Sequence, residues 1–426
     1  MGLNEKRILA GYEYAKDVYA ENGIDVDKAM EKASAFAISV HCWQGDDVMG
    51  LESGVGGTSG GIQTTGNYPG RARNGDELRA DFLKAISLIP GKKKLNLHAS
   101  YAELHGKKID RDEYTAEQFA DWMAFAKENK LALDFNPTYF GHPRVADGFS
   151  LASSNASNRK FWIEHGKRCR EIGEAFGKAQ GQPCVINHWM PDGYKDTPAD
   201  TDSPRKRMVE ALDEVFEGTA SISKKHVLDA VESKLFGIGV ESYTVGSNEL
   251  MMGYAISRGK LLTLDTGHFH PTEQVSDKLS AALQFLPQIQ LHISRPVRWD
   301  SDHVVTWDQE TSRIFNEIVA NGYEKRVFCA LDYFDASINR VAAWVIGVRN
   351  AQKALLNAYL TPNATLRKCE HKGDFTSRLA LQEEAKSMPF GAIWDMYCLK
   401  QGVPVGDEWL SEVKQYEKDV LSKRSG

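Results

Sequence analysis

Eight apolar runs of strand length recur along this chain, and each is followed by a stretch with helical, amphipathic spacing. They read SAFAISVH, LNLHAS, LALDFN, QPCVINHW, VLDAVESK, LLTLDTGHFH, IQLHIS and RVFCALDYFD. Runs so short and so continuously apolar suit strands buried on both faces, as in an all-parallel sheet. An unbroken strand-then-helix order leaves few topologies, because every parallel connection crosses over with the same hand. The alternation predicts an α/β chain folded as a (β/α)8, or TIM, barrel. A charged amphipathic helix over 5–35 precedes the first strand. The eighth helix, DASINRVAAWVIGVRNAQKALLNAYL, is long, and the chain from 361 to 426 is helical, charged and without a strand. The expected division is a barrel with its N-terminal helix over 1–345 and a helical C-terminal extension over 346–426, placed for contacts between subunits.

The later runs end in side chains able to hold a metal. Glu232 and Lys234 close the fifth, Asp265 and His268 the sixth, His292 with Asp300 and Asp302 the seventh, and Asp332 the eighth. In a parallel barrel the carboxyl ends of the strands form the mouth where sites are built. Asp300 and Asp302 alternate with Ser301, so an extended backbone would set both on one face. Taken singly, an Asp after a strand is as readily a helix N-cap, and His292 a hydrogen-bonded core imidazole. Taken together, so many buried carboxylates without cations would repel one another and raise their own pKa values. They suffice for two ions, one held by Glu232, Asp265, His292 and Asp332, the other by Asp265, His268, Asp300 and Asp302. A set rich in hard oxygens with a few imidazoles suits manganese, magnesium or cobalt rather than a structural zinc cage.

Trp43, Phe135 and Trp189 end three of the runs on one rim, and aromatics grouped around a polar site stack the apolar faces of sugars. His98 brings a further titratable group to the mouth, while His188 and His270 stay open between pocket lining and support. The glycine-rich stretch 50–70 lacks the GxxxxGK[ST] spacing of a phosphate cradle. It reads as a lid, with Val48, Met49, Leu51, Val55 and Ile62 as its apolar contacts.

A formal net charge of −6 argues against a nucleic-acid partner, including the substrate of a metal-dependent barrel endonuclease. No run approaches the roughly 20 apolar residues of a membrane helix. The six cysteines show no CxxC spacing and no disulfide framework, so a reducing cytoplasm is expected.

The motifs HCWQGDDV, ESK, LDTGHFHP, LHISRPVRWDSDH and CALDYFD resemble those of the L-rhamnose isomerases over essentially the whole chain. More loosely, the layout is similar to that of the xylose isomerases. The resemblance implies reversible conversion of L-rhamnose to L-rhamnulose, the first step of rhamnose catabolism, by a homotetramer. A related aldose isomerase with another preferred sugar is the nearest alternative. It also implies two divalent ions per subunit, manganese foremost, with cobalt, magnesium or zinc as substitutes. Carried over, Glu232, Asp265, His292 and Asp332 hold a structural ion, and His268, Asp300 and Asp302 a catalytic one bridged by Asp265. Lys234 would stabilise charge on the C1 oxygen, Asp302 or a water on the second ion take the hydroxyl proton, and His98 bind the sugar or help open its ring.

Overall fold

The computed structural model describes residues 3–52, 66–237 and 239–424. Eight strands close into a barrel in which every neighbouring pair is parallel. They are β1 (Ile38–His41), β2 (Lys93–His98), β3 (Ala132–Asn136), β4 (Cys184–Trp189), β5 (Val227–Glu232), β6 (Leu261–Asp265), β7 (Ile289–Ile293) and β8 (Val327–Leu331). The order around the barrel is the order along the chain, and β8 pairs back onto β1. The alternation in the sequence therefore maps directly onto the architecture.

Helices surround the strands, and their ends follow elementary capping chemistry. Asn74, Asn155, Asp308 and Asn339 each accept a hydrogen bond from a first-turn N–H. The expected helix over 5–35 is two helices, Leu3–Glu21 and Val26–Ala35, with Gly23 at φ 73° in the break between them. The long eighth helix, Arg340–Tyr359, runs unbroken through position 345. Ile393, Trp394, Tyr397 and Val413 of the C-terminal helices join the same apolar core as the barrel.

Alternation along each strand decides which side chains face the barrel axis. On β3 the Asp134 carboxylate meets Ser39, Lys94 and the Val185 N–H, and the Asn136 amide donates to Asn96. Phe135 therefore points the other way, onto Phe119 and Phe176 in the helical layer, with ring centroids at 5.0 and 5.4 Å. Its expected place on the sugar-facing rim is corrected: it is a core residue of the strand–helix interface.

The start of the glycine-rich loop is tied to the barrel. The Asp46 carboxylate accepts from Gly50 N–H and from Tyr101 O–H, at 2.8 and 2.6 Å, and Leu51 N–H donates to Ser100. At Gly50 φ is 73°, and an added Cβ would lie 2.7 Å from the Ser100 carbonyl oxygen, so only glycine fits. Val48 and Leu51 pack partly on the core and Met49 is exposed, whereas the expected contacts Val55 and Ile62 lie outside the described residues.

Candidate metal centre and active site

The carboxyl ends of β5 to β8 bring the predicted ligands together. Glu232 ends β5, Asp265 ends β6, His292 lies on β7, and Asp332 directly follows β8. One donor atom from each of these four lies within 4.8 Å of the others. The His292 Nδ1 is 3.4 Å from Glu232 Oε1, 3.9 Å from Asp265 Oδ2 and 3.2 Å from Asp332 Oδ2. A second group, Asp265, His268 and Asp300, shares Asp265 with the first. His268 spans the two, with Nδ1 3.3 Å from Glu232 Oε1 and Nε2 3.1 Å from Asp300 Oδ2. Gly267 makes this packing feasible, since a Cβ there would collide with the Asp300 carboxylate.

Asp300 and Asp302 reach the mouth by a route other than the extended backbone expected. Past β7 the chain doubles back, Arg295 pairing with His303, and Asp302 takes φ 44° in the left-handed region. Asp302 is outside the compact trio of Asp265, His268 and Asp300. It is close enough that Asp300, Asp332 and Asp265, added to burial, push its carboxyl well above the usual range.

The electrostatics describe a site short of positive charge. Burial and the neighbouring Glu232, Asp300 and Asp332 raise Asp265 well above the usual carboxylate range, although His268 opposes them. Burial alone would raise Glu232 too, but the imidazoles of His292 and His268 outweigh it and hold that carboxyl low. Burial disfavours the charged form of both imidazoles, yet the surrounding carboxylates raise them well above the usual histidine range. Glu232 Oε1, His292 Nδ1, His268 Nδ1 and Asp300 Oδ1 are buried without a hydrogen-bond partner. Buried polar atoms are nearly always satisfied, and here both imidazole Nδ1 atoms converge on Glu232 Oε1 at 3.3 and 3.4 Å. Five acids and two imidazoles so arranged fit divalent cations with oxygen-rich coordination.

Around this centre the structure places the predicted sugar contacts. The Lys234 ammonium is 3.5 Å from Asp300 Oδ2 and 4.9 Å from the centroid of the Trp189 ring. Trp189 lies parallel to the His268 ring, with centroids 6.4 Å apart. Trp43 donates its indole N–H to Asp332 Oδ1 at 2.9 Å and meets the His98 ring edge-on. His98 Nδ1 is 3.1 Å from the Thr138 hydroxyl, and burial pushes the imidazole down to about 3, so it is neutral at ordinary pH. Phe140, absent from the sequence expectations, contacts both His98 and Trp189 with centroids at 5.5 Å and occupies the aromatic place assigned to Phe135. It lies four residues past the end of β3, where strand periodicity gives no signal.

Of the two histidines left open, neither reaches the centre. His188 faces the helices, with Tyr139 Oη at 3.2 Å, Asp229 at 3.7 Å and the Phe216 ring beside it. His270 is exposed and pairs with the hydroxyl of Thr272.

Among solved structures, an L-ribulose 3-epimerase aligns with a TM-score of 0.47 at 15% identity, covering 78% of this chain and 96% of that one. A D-allulose 3-epimerase from Methylomonas sp. aligns with a TM-score of 0.46 at 12% identity, covering 76% and 96%. The sequence relatives are much nearer. An L-rhamnose isomerase of Mannheimia succiniciproducens is 59% identical over 98% of this chain and 99% of its own length. One of Rhodopirellula baltica is 55% identical over 98% of this chain and 97% of its own. The L-rhamnose isomerase (RhaA) family pattern matches residues 6–424, and with relatives this similar over nearly the whole chain the chain belongs to the L-rhamnose isomerase family.

Proposed function

We propose that this protein interconverts L-rhamnose and L-rhamnulose at the mouth formed by β5 to β8. The carrying observation is the pair of acid–imidazole groups sharing Asp265, with the Lys234 ammonium beside Asp300. Family membership over nearly the whole chain supplies the substrate class. Divalent ions bound by Glu232, Asp265, His292 and Asp332, and by Asp265, His268 and Asp300, would supply Lewis-acid polarisation of the sugar oxygens. Manganese is the expected metal.

The remaining roles belong to the side chains. Moving hydrogen between C2 and C1 shifts negative charge between the two oxygens, and Lys234 is placed to stabilise it on the C1 oxygen. Asp302, on the rim of the trio and ionised once cations offset the acids around it, would take the proton of the C2 hydroxyl and return it to the C1 oxygen. Neutral His98, oriented by Thr138, offers its other nitrogen to a sugar oxygen. Trp43, Trp189 and Phe140 supply apolar faces for the C–H side of the ring and keep water from the reacting atoms.

The protein acts as a homotetramer in this reading. The helix Phe375–Glu384 has no buried residue, and Phe375 and Leu379 are 59% and 54% exposed, which supports contact with another copy. A cytoplasmic location is supported by six free cysteines, five of them buried. No helix among the described residues is long and apolar enough to cross a membrane.

A ketose assay over a panel of aldoses, run with metal analysis and light scattering, tests the proposal. The expected result is highest kcat/KM for L-rhamnose, two ions per chain and a tetrameric mass. Higher kcat/KM for another aldose would move the substrate assignment, and a monomeric mass would remove the assembly.

A further inference from the structure

Beneath the metal centre, a line of neutral polar side chains crosses the barrel interior from one expected ligand to another. Asn187 on β4, Thr263 on β6 and Gln290 on β7 are all buried. The register sets Glu232 opposite Thr263 and Thr263 opposite Gln290, while Gln290 precedes His292 by two positions on the same face. Asn187 Nδ2 donates to Glu232 Oε2. The Thr263 hydroxyl is 2.7 Å from Asn187 Oδ1 and 3.1 Å from the Gln290 amide, whose far end is 3.4 Å from His292 Nε2.

The donor and acceptor capacities of these groups fix the direction of every link. An ionised carboxylate only accepts, so Asn187 must present its NH2 to Glu232 and its oxygen to Thr263. The single hydroxyl proton of Thr263 then goes to Asn187 Oδ1, the shorter contact, and its lone pairs face Gln290. Gln290 must answer with N–H, which a half-turn of its amide provides without moving its heavy atoms. That half-turn sets Oε1 against His292 Nε2 and replaces a nitrogen-to-nitrogen contact that is long for a hydrogen bond. Facing a carbonyl oxygen, His292 Nε2 carries a proton whether or not the ring is charged, so a cation among Glu232, Asp265 and Asp332 would displace only the other proton and take the Nδ1 lone pair.

We propose that Asn187, Thr263 and Gln290 form a one-way hydrogen-bond relay that sets the metal-ready tautomer of His292 from the charge of Glu232. They are positioning residues, acting through two ligands at opposite ends of the line, and none of them touches the sugar. The relay goes beyond the activity proposed above and rests on its assignment of the Glu232, Asp265, His292 and Asp332 group to a metal. Cutting the line in the middle removes the orientation of both ends at once, so two cuts cost no more than one.

The test is Mn2+ titration of metal-stripped full-length protein followed by the loss of free Mn2+ signal in electron paramagnetic resonance. Thr263→Val and Gln290→Met should each weaken the tighter site roughly 10–100-fold. The double variant should bind no more weakly than the poorer single, and Thr263→Ser, which keeps the hydroxyl, should bind as wild type. Wild-type affinity in Thr263→Val, or a double variant whose loss is the product of the two singles, would overturn the relay. Should the variants fail to fold, neutron diffraction from wild-type crystals decides: a deuteron on His292 Nε2 with the Gln290 ND2 group facing Thr263 is expected, and a deuteron on Nδ1 alone refutes it. Wild-type protein that takes up no Mn2+ would instead refute the metal assignment on which the relay rests.

Discussion

Lys234 shows how a single side chain is placed for one task. Its ammonium lies over the Trp189 ring and reaches Asp300 at 3.5 Å, so the charge sits at the edge of the Asp265, His268 and Asp300 group. Lys234→Met keeps the stem and removes the charge. We expect kcat to fall at least tenfold, about 1.4 kcal/mol of transition-state stabilisation, with KM little changed. Steady-state kinetics on L-rhamnose check this, and a loss confined to KM would make Lys234 a uniform binding group. Asp46, at the start of the loop, carries a different burden. Burial pushes its carboxyl up to about 7 despite the hydrogen bonds from Tyr101 and Gly50. A group raised in the folded state binds more protons there than in the unfolded chain, so its stabilising effect is complete below about pH 4 and is lost as pH rises through 7. Asp46→Asn removes that dependence. Relative to wild type, the variant should gain roughly 1–4 kcal/mol between pH 5 and pH 8. Thermal melts at the two pH values measure it, and a constant difference between the proteins would contradict the assignment.

At the scale of elements, the strands were the most legible part of the sequence, because continuous apolar runs and their polar ends report burial and position at once. Seven metal-competent residues were read from those ends, and six of them fall into the two compact groups. Asp302 is expected at the second ion from extended backbone and from the family resemblance, and its φ of 44° departs from the first of these. Local conformation after a strand is set by loop hydrogen bonds such as that donated by Val297 N–H to Ser301 Oγ, which strand periodicity does not encode. Phe135 was misplaced for a related reason. Its neighbours Asp134 and Asn136 are the polar, inward pair, so alternation turns the aromatic ring outward. The same alternation, applied two residues before each ligand, would have found Thr263 and Gln290. The short antiparallel ribbon of Gly193–Tyr194 and Tyr243–Thr244 had no run long enough to signal it. Phe135→Ala should therefore destabilise the fold by about 3–5 kcal/mol, as for a large core aromatic, and leave KM for L-rhamnose unchanged in the protein that remains folded. Calorimetry with kinetics separates the two effects, and a raised KM without a lower melting temperature would return Phe135 to the site.

The whole molecule joins a closed barrel to a crowded acidic mouth, and divalent cations would resolve the conflict between them. Five carboxylates held together in a buried site destabilise the fold, whereas the same residues coordinating metal stabilise it by binding only the folded chain. Catalysis and stability should thus respond to the same ions. The measurement that tests this most directly is conversion of L-rhamnose to L-rhamnulose by protein stripped of metal with a chelator and then titrated with Mn2+, with melting temperature followed in parallel. Stripped protein should show no turnover, the melting temperature should rise as the quartet of Glu232, Asp265, His292 and Asp332 fills, and full activity should need two ions per chain. Turnover undiminished by stripping, or no ketose formed from L-rhamnose at saturating Mn2+, would contradict it.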